Sequence, residues 1–322
     1  MSNRKHKGMM HTVIGYPQDI IGVKLLNRTQ VIGNEAMEQR SFLDLCYPLE
    51  DGVLKDNGEK ALDAAREVLK QAIAMAEPRA GDRIRGIIGV PARATVANKA
   101  QLLKITEGLM DVCMAVPEAF VVAYGLSKLI NTMIVDIGAG TIDLCAMKGA
   151  IPKPENQLSI LKGGNHVDQL LETAIRDAHS GVQIDRHLAR TLKEQHAFVG
   201  PPREEVIVSL RVNGKPADLD ITDALRVACE AIVPDIVEHI KKLILVYTPE
   251  CQTEVIANIV LAGGGSRIRG LGAMIEQQLR EYGDVHVTAV ADPDYGGAHG
   301  ALKLAMELPS EYWGQVGEMV GG

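Results

Sequence analysis

The chain has 322 residues, of which 34 are basic and 41 acidic, and its formal net charge is −7 at pH 7. This charge argues against broad contact with nucleic acid or with an anionic membrane, and no apolar run is long enough to insert into a bilayer. At roughly 150 residues per domain, the length predicts two globular units. Five scattered cysteines without a C-x-x-C pair indicate reduced thiols, so we expect a cytoplasmic protein.

The first part of the chain combines turn signals with short apolar runs. Residues 11–57 predict small strands rather than long helices. Apolar residues then recur at helical spacing over 59–76, and Pro78 ends that helix. The elements predicted next are a buried strand over 84–90, a helix over 95–113 and a further helix over 117–128.

The second part of the chain mixes strands and helices, which predicts an α/β fold. The longest predicted helix, over 222–247, has a continuous apolar stripe. Strands are predicted over 133–138, 142–148, 206–212, 258–262 and 285–290, and the other helices over 166–178, 185–198, 268–282 and 298–308.

The first motif that indicates chemistry is VDIGAGT at residues 135–141. Asp136 ends an apolar strand, and the glycines at 138 and 140 let a phosphate approach the backbone because no Cβ intrudes. A carboxylate beside bound phosphates is suited to hold Mg²⁺ through its waters. The strands on either side make this a hairpin, unlike the strand-to-helix turn of a Rossmann or P-loop site. A plain hairpin turn is the structural alternative.

The second motif is LAGGGSRIRGL at residues 261–271. Three consecutive glycines between an apolar strand and a predicted helix offer a ligand a flat backbone surface and a helix N-terminus. A flexible loop would more often place Ser or Asn among the glycines and would not follow an apolar strand. The pattern therefore favours the approach of a ligand.

In this order and about 125 residues apart, the two motifs resemble the phosphate 2 and adenosine motifs of the ATPase domain shared by actin, MreB, sugar kinases and heat-shock chaperones. Residues 163–168 resemble the G-G-x-x-h-D step of MreB, and residues 192–194 resemble the helix whose lysine approaches the adenosine there. The resemblance covers almost the whole chain. It implies a two-lobed actin-like α/β fold with an interlobe nucleotide cleft, one lobe formed by 1–129 with 298–322 and the other by 130–297.

Further segments are similar to the branch of bacterial actins that positions magnetosomes. The resemblance implies ATP hydrolysis coupled to the assembly of cytoplasmic filaments. It implies as partners other copies of the chain, a full-length actin-like homologue and magnetosome-associated adaptor proteins. The segments that carry it are residues 15–22, 40–41, 47–49, 51–53, 88–94, 194–195, 198–200 and 262–271.

The same resemblance implies roles for individual residues. Asp136 would hold Mg²⁺ through water, and Glu118, at the start of a helix, would orient the attacking water. Stabilisation of a helix N-terminus is the structural alternative for Glu118. The residues expected to contact ATP are Gly138, Ala139, Gly140 and Thr141 at the phosphates, and Lys193, Gly263, Gly264, Gly265, Ser266 and Arg267 at the adenosine.

The chain departs from the family pattern at three places. The family begins with a D-x-G-T hairpin, the phosphate 1 loop, and nothing before Tyr16 resembles it, so we expect that hairpin to be missing and a sheet edge to be unpaired. Ala119 follows Glu118 where the related proteins usually have proline, which gives the glutamate more freedom. Arg190 stands one turn before Lys193, where MreB has a glutamate, and we interpret it as an exposed helix residue.

Three alternatives remain open. An ATPase-poor truncated paralogue would co-assemble with or modulate a full-length filament protein, and the absent hairpin supports this alternative. A sugar or small-molecule kinase on the same fold is disfavoured by the short insertions. A misassigned start codon is the third, and a D-x-G-T sequence encoded directly upstream of Met1 would reveal it.

Overall fold

The structure is a computed structural model that describes residues 6–55 and 58–313. The chain divides into two compact units, residues 1–117 with 298–322 and residues 118–297. The first division falls at Pro117, earlier than the predicted boundary at residue 129, because the helix that follows it packs on strands of the second unit. Residues 314–322, assigned from the sequence to the returning C-terminal helix, lie outside the described residues.

The first unit contains the small strands predicted over 11–57. One antiparallel sheet has the order β2-β1-β3, β4 and β5 form a hairpin, and β6 and β7 form a parallel pair. Within the described residues, β6 and β7 pair only with each other. The elements are β1 Ile14–Pro17, α1 Ile20–Leu26, β2 Val31–Ile32, α2 Asn34–Glu38, β3 Leu43–Cys46, β4 Leu49–Glu50, β5 Val53–Leu54, α3 Glu59–Ala74, β6 Arg85–Val90, α4 Val96–Thr106 and β7 Val112–Pro117.

The helix predicted over 95–113 is wrong beyond Thr106. Thr95 caps α4 through reciprocal hydrogen bonds with Asn98, as the sequence position suggests. Gly108 then adopts a φ of +72°, the left-handed conformation in which helices commonly end. The apolar residues that follow form β7, which pairs in parallel with β6 along its whole length. A short apolar run suits a buried parallel strand as well as a helix, so spacing alone did not separate the two.

The second unit is built on a five-stranded mixed sheet with the order β10-β9-β8-β14-β15 and a small antiparallel sheet, β11-β12-β13. Among the described residues no helix is long and apolar enough to cross a membrane. The elements are α5 Glu118–Gly125, β8 Ile130–Ile137, β9 Ile142–Lys148, β10 Gln157–Ile160, α6 Gly164–Ala178, β11 Val182–Gln183, α7 Arg186–His196, β12 Ile207–Val212, β13 Lys215–Asp220, α8 Thr222–Glu230, α9 Val233–Ile244, α10 Pro249–Ile256, β14 Ile259–Ala262, α11 Leu271–Leu279, β15 Val287–Ala289, and α12 Gly296–Glu307, which begins in the second unit and continues into the first.

The pairing of β14 with β8 places the two glycine motifs side by side. The strands are parallel, with Ala262 opposite Asp136. Because neighbouring parallel strands end at the same edge of a sheet, the loop after Ile137 and the loop after Ala262 leave that edge together. The motifs, far apart in the chain, thus become neighbours through one strand pair.

The single helix predicted over 222–247 is wrong, because the structure has two helices there. α8 ends at Glu230, and α9 begins at Val233 with Pro234 in its first turn. Proline has no N–H to donate, and its ring clashes with the carbonyl four residues earlier, so the helix cannot continue through it. Each helix keeps its apolar stripe buried against the sheet core.

Tyr247, just after α9, hydrogen-bonds to the central sheet. The β8–β9 register is irregular between Ile130 and Thr132. The buried Tyr247 hydroxyl lies 2.8 Å from the Thr132 carbonyl oxygen and 3.2 Å from that of Met147. A buried hydroxyl and buried carbonyls that satisfy one another stabilise the fold, and a carbonyl left without a donor destabilises it.

We expect Tyr247→Phe to lower the free energy of unfolding by about 1–2 kcal/mol, because the ring remains and the hydrogen bonds are lost. The measurement is chemical denaturation followed by circular dichroism. Tyr282→Phe, at a tyrosine on the surface, is the matched control and should leave the midpoint unchanged. Equal effects of the two substitutions would contradict the assignment of Tyr247 as a buried anchor.

Candidate functional site

The loop between β8 and β9 is held by the first turn of α6. The N–H groups of Gly163, Gly164 and Asn165 donate to the carbonyls of Gly140, Gly138 and Ala139, at 3.1, 2.9 and 2.7 Å. The loop is closed by the N–H of Gly138, which donates to the Thr141 carbonyl at 2.9 Å. Residues 138–141 are called the phosphate loop below.

This arrangement fixes the direction of the loop's peptide groups. In a trans peptide the C=O and the N–H point in opposite directions. Since the carbonyls of residues 138–140 point toward α6, the N–H groups of Ala139, Gly140 and Thr141 point away from it. Successive N–H groups with a common direction form an anion-binding surface.

The glycines at 263 and 265 are required for close packing between the loops. Gly263 has a φ of +71°, and a Cβ placed on it would lie 2.4 Å from Oδ1 of Asp136. A Cβ on Gly265 would lie 2.1 Å from Cγ2 of Ile137. A Cβ on Gly264 would meet no atom within 4 Å. Two of the three glycines thus let the second loop pack on β8, and the third faces open space.

Three carboxylates lie near the phosphate loop. Asp143, almost fully buried in β9, accepts hydrogen bonds from the hydroxyls of Thr141, at 2.7 Å, and Ser159. Thr141, expected to contact phosphate, therefore has its hydroxyl directed to Asp143. Asp136 ends β8, and Glu118 opens α5.

Burial and neighbouring carboxylates raise the pKa values of Glu118 and Asp136. Burial raises the pKa of Glu118 to about 8, and the charges of Asp136 and Asp143 add to the effect. Burial, and then the charge of Asp143, raises the pKa of Asp136 to about 7. The structure thus brings Glu118 into electrostatic reach of Asp136, as a catalytic role requires. In the part of the chain that the structure describes, no three histidine, cysteine, aspartate or glutamate side chains form a direct metal site.

Lys193 has two partners within the protein. Its Nζ lies 2.6 Å from Oδ1 of Asp168, which is 1% exposed, and it donates to the Gly164 carbonyl at 3.0 Å. Both partners belong to the start of α6. Arg190, one turn earlier on α7, is half-exposed and pairs with Glu194.

The second loop is held by internal bonds and by an ion pair. The Ser266 hydroxyl donates to the Gly263 carbonyl at 2.7 Å. The guanidinium of Arg267 forms a two-fold hydrogen-bonded pair with Asp294, at 2.7 and 2.6 Å. The hydrogen bonds to Asp294 raise the pKa of Arg267 above its ordinary value. The side chains of Ser266 and Arg267, both expected at the adenosine, thus have protein partners that a nucleotide would join or displace.

The end of α7 binds the far side of the second loop. The N–H of Val199 donates to the Arg269 carbonyl, and the N–H of Arg269 donates to the Ala197 carbonyl. Gly270 has a φ of +84°, and a Cβ on it would lie 2.8 Å from the Val199 carbonyl oxygen. α7 therefore contacts the phosphate loop indirectly through Lys193 and the second loop directly through its C-terminal residues.

Four residues that contact the predicted site residues were not assigned a role from the sequence. Asp143 and Asp168 had a recognisable signal, since each is a carboxylate in an otherwise apolar buried position, one on a strand and the other on the buried stripe of α6. Ser159 and Asp294 gave no such signal, because their partners are set by tertiary contacts.

A mixed sheet whose parallel central strands carry two glycine loops at one edge, with carboxylates beside them, is the arrangement of an actin-like fold. The chain belongs to the MreB/Mbl family, since the sequence profile described as MreB/Mbl protein matches residues 24–310.

Individual relatives give a more specific similarity. The chain is 49% identical over 321 residues to the actin-like protein MamK of Paramagnetospirillum magneticum. The aligned region covers 100% of this chain and 92% of that protein. It is 48% identical to the MamK of Magnetospirillum gryphiswaldense over 321 residues, 100% of this chain and 89% of that protein. A MamK-like protein of P. magneticum is 38% identical over 98% of this chain and 93% of its own length.

Solved structures agree with this similarity. A MamK double helical filament superposes with a TM-score of 0.93 at 50% identity, covering 96% of this chain and 95% of the other. A non-polymerising MamK mutant bound to AMPPNP gives a TM-score of 0.74 at 49% identity, covering 95% and 94%. The actin-like fold inferred from the glycine motifs is confirmed.

The raised pKa of Glu118 predicts that ionisation of this residue lowers the free energy of unfolding. Its carboxyl prefers the protonated form in the folded state, so the stability it contributes is complete below its ordinary pKa of 4.5 and is lost as the pH rises through about 8. We expect Glu118→Gln, without nucleotide, to raise the free energy of unfolding at about pH 8.5 by a few kcal/mol, and to have little effect near pH 4.5.

Thermal unfolding of parent and variant across this pH range is the measurement. Glu155→Gln, at an exposed glutamate, is the control and should follow the parent curve at every pH. A Glu118→Gln curve that also runs parallel to the parent would show that Glu118 is not held in this environment.

Proposed function

We propose that this protein binds ATP at the two glycine loops and hydrolyses it. The observation that carries the proposal is the direction of the N–H groups of Ala139, Gly140 and Thr141, which are turned away from α6 beside the open face of Gly264. Such a surface suits a polyphosphate. A relative of the same fold bound to AMPPNP supports the assignment of the nucleotide.

Magnesium fits the chemistry of this site. The two raised carboxyl pKa values reflect burial first and neighbouring negative charge second, and a cation would oppose both effects at Asp136, beside the phosphate loop. Asp136 would hold Mg²⁺ through its waters, and the ion would supply positive charge to the phosphates. The same charge favours the ionised form of Glu118, which is the form that accepts the stronger hydrogen bond, or a proton, from the attacking water.

Filament assembly is the second part of the proposal. Relatives at about half sequence identity are solved as filaments, one of them double helical. We infer that this chain assembles with copies of itself in the cytoplasm, in a cytoskeletal filament that positions magnetosomes. A full-length actin-like homologue and a magnetosome-associated adaptor are its further proposed partners. The presence of both MamK and a MamK-like protein in P. magneticum supports co-assembly of two such chains.

We expect Glu118→Ala to slow phosphate release at least tenfold and to leave ATP affinity nearly unchanged, because Glu118 would act mainly in the transition state. Asp136→Ala should weaken both, because Asp136 would position the metal in the ground state as well. The assay combines phosphate release, nucleotide affinity and sedimentation with ATP and Mg²⁺. We expect the parent to pellet with ATP and Glu118→Ala to pellet for longer. A parent that neither releases phosphate nor pellets would overturn the proposal.

The glycines at 264 and 265 provide a matched test of where the nucleotide lies. Gly264→Val should leave thermal stability unchanged, since its Cβ meets open space, and should weaken ATP binding at least tenfold by filling that space. Gly265→Ala should lower thermal stability, because its Cβ would overlap Ile137. Calorimetry gives both quantities. Undiminished ATP affinity in Gly264→Val would exclude Gly264 from the nucleotide site.

A further inference from the structure

The first turn of α6 performs two tasks at once. Its N–H groups hold the carbonyls of the phosphate loop, and its Gly164 carbonyl accepts from Lys193 on α7. The packing is close, because a Cβ on Gly163 would lie 2.7 Å from the Ala139 carbonyl oxygen and one on Gly164 would lie 3.0 Å from Nζ of Lys193. The lysine ammonium and the phosphate loop therefore both contact Gly164, and the loop contacts Gly163 as well.

The ion pair beneath this turn is nearly dry. Asp168 lies one helical turn after Gly164 on α6 and is 1% exposed, and the side chain of Lys193 is 14% exposed. Removing one partner of a buried ion pair leaves the other charge without compensation, which is strongly destabilising. The pair thus links the beginning of α6 to the last turn of α7.

The ammonium of Lys193 is engaged twice within the protein, by its ion pair with Asp168 and by its hydrogen bond to the Gly164 carbonyl. We propose that Lys193 is a positioning residue for the phosphates: it fixes the first turn of α6, which fixes the carbonyls of the phosphate loop and so aims the N–H groups of Ala139, Gly140 and Thr141. This differs from the contact with adenosine that the sequence resemblance implies. The inference rests on the proposed nucleotide function of the loop.

The consequence is a selective loss of phosphate recognition. If Lys193 positions the loop, Lys193→Met should weaken AMPPNP binding by about ten- to a hundred-fold, the range expected for one charge-assisted hydrogen bond, and leave the weak binding of adenosine unchanged. If Lys193 contacts the adenosine, both ligands should lose affinity by the same factor.

The experiment measures hydrogen exchange and ligand affinity in three variants of the full chain. Without nucleotide, Lys193→Met should speed amide exchange in residues 138–145 and 163–168. The double variant Asp168→Asn with Lys193→Met removes the uncompensated charge, so it should recover thermal stability while exchange stays fast and AMPPNP binding stays weak. Lys162→Met is the matched control, since it breaks an exposed ion pair with Asp235 next to the same glycines and should change neither.

The possible results distinguish the positioning role of Lys193 from nucleotide binding at the phosphate loop. Equal loss of AMPPNP and adenosine affinity, or unchanged exchange in residues 138–145, would overturn the positioning role while leaving the nucleotide site intact. Absence of AMPPNP binding in the parent chain would overturn the proposed function itself. Where Lys193→Met alone fails to fold, the double variant gives the same comparison.

Discussion

The site depends on how closely two backbones approach each other. Parallel pairing brings the ends of β8 and β14 to one edge, but the loops can lie together there only because Gly263 and Gly265 have no side chains to collide with Asp136 and Ile137. The same contact places the Asp136 carboxylate against the second loop. Glycine at these positions is therefore a packing requirement, whereas Gly264 faces open space and is the glycine that leaves room for the proposed ligand.

Around this contact the protein concentrates negative charge. One helix and two strands supply the carboxyl groups of Glu118, Asp136 and Asp143. Because Glu118 and Asp136 are buried, water screens the repulsion between these groups only weakly. Asp143 accepts hydrogen bonds from two neighbouring hydroxyls. An arrangement of buried carboxyl groups that disfavours their ionised form is suited to the cation proposed above, whose positive charge would favour ionisation.

The sequence allowed the glycine loops, most second-unit strands and the actin-like fold to be predicted, because glycine spacing and apolar runs are local signals. It did not separate β7 from a continued helix, since a strand and a helix can both bury a short apolar run. Over residues 222–247 the apolar stripe is continuous, so it did not indicate that the helix ends before Pro234. The bidentate pair of Arg267 with Asp294 could not be foreseen, because it joins two loops whose proximity exists only in the folded chain.

The phosphate loop takes its conformation from the fold itself, since three of its carbonyls and one of its N–H groups are hydrogen-bonded within the protein. For the proposed nucleotide, these bonds reduce the conformational entropy that binding has to remove. A loop held in this way is not suited to signal binding by changing from disorder to order. Such a signal would instead pass through groups that can exchange partners, and the half-exposed guanidinium of Arg267, paired with Asp294, is one of them.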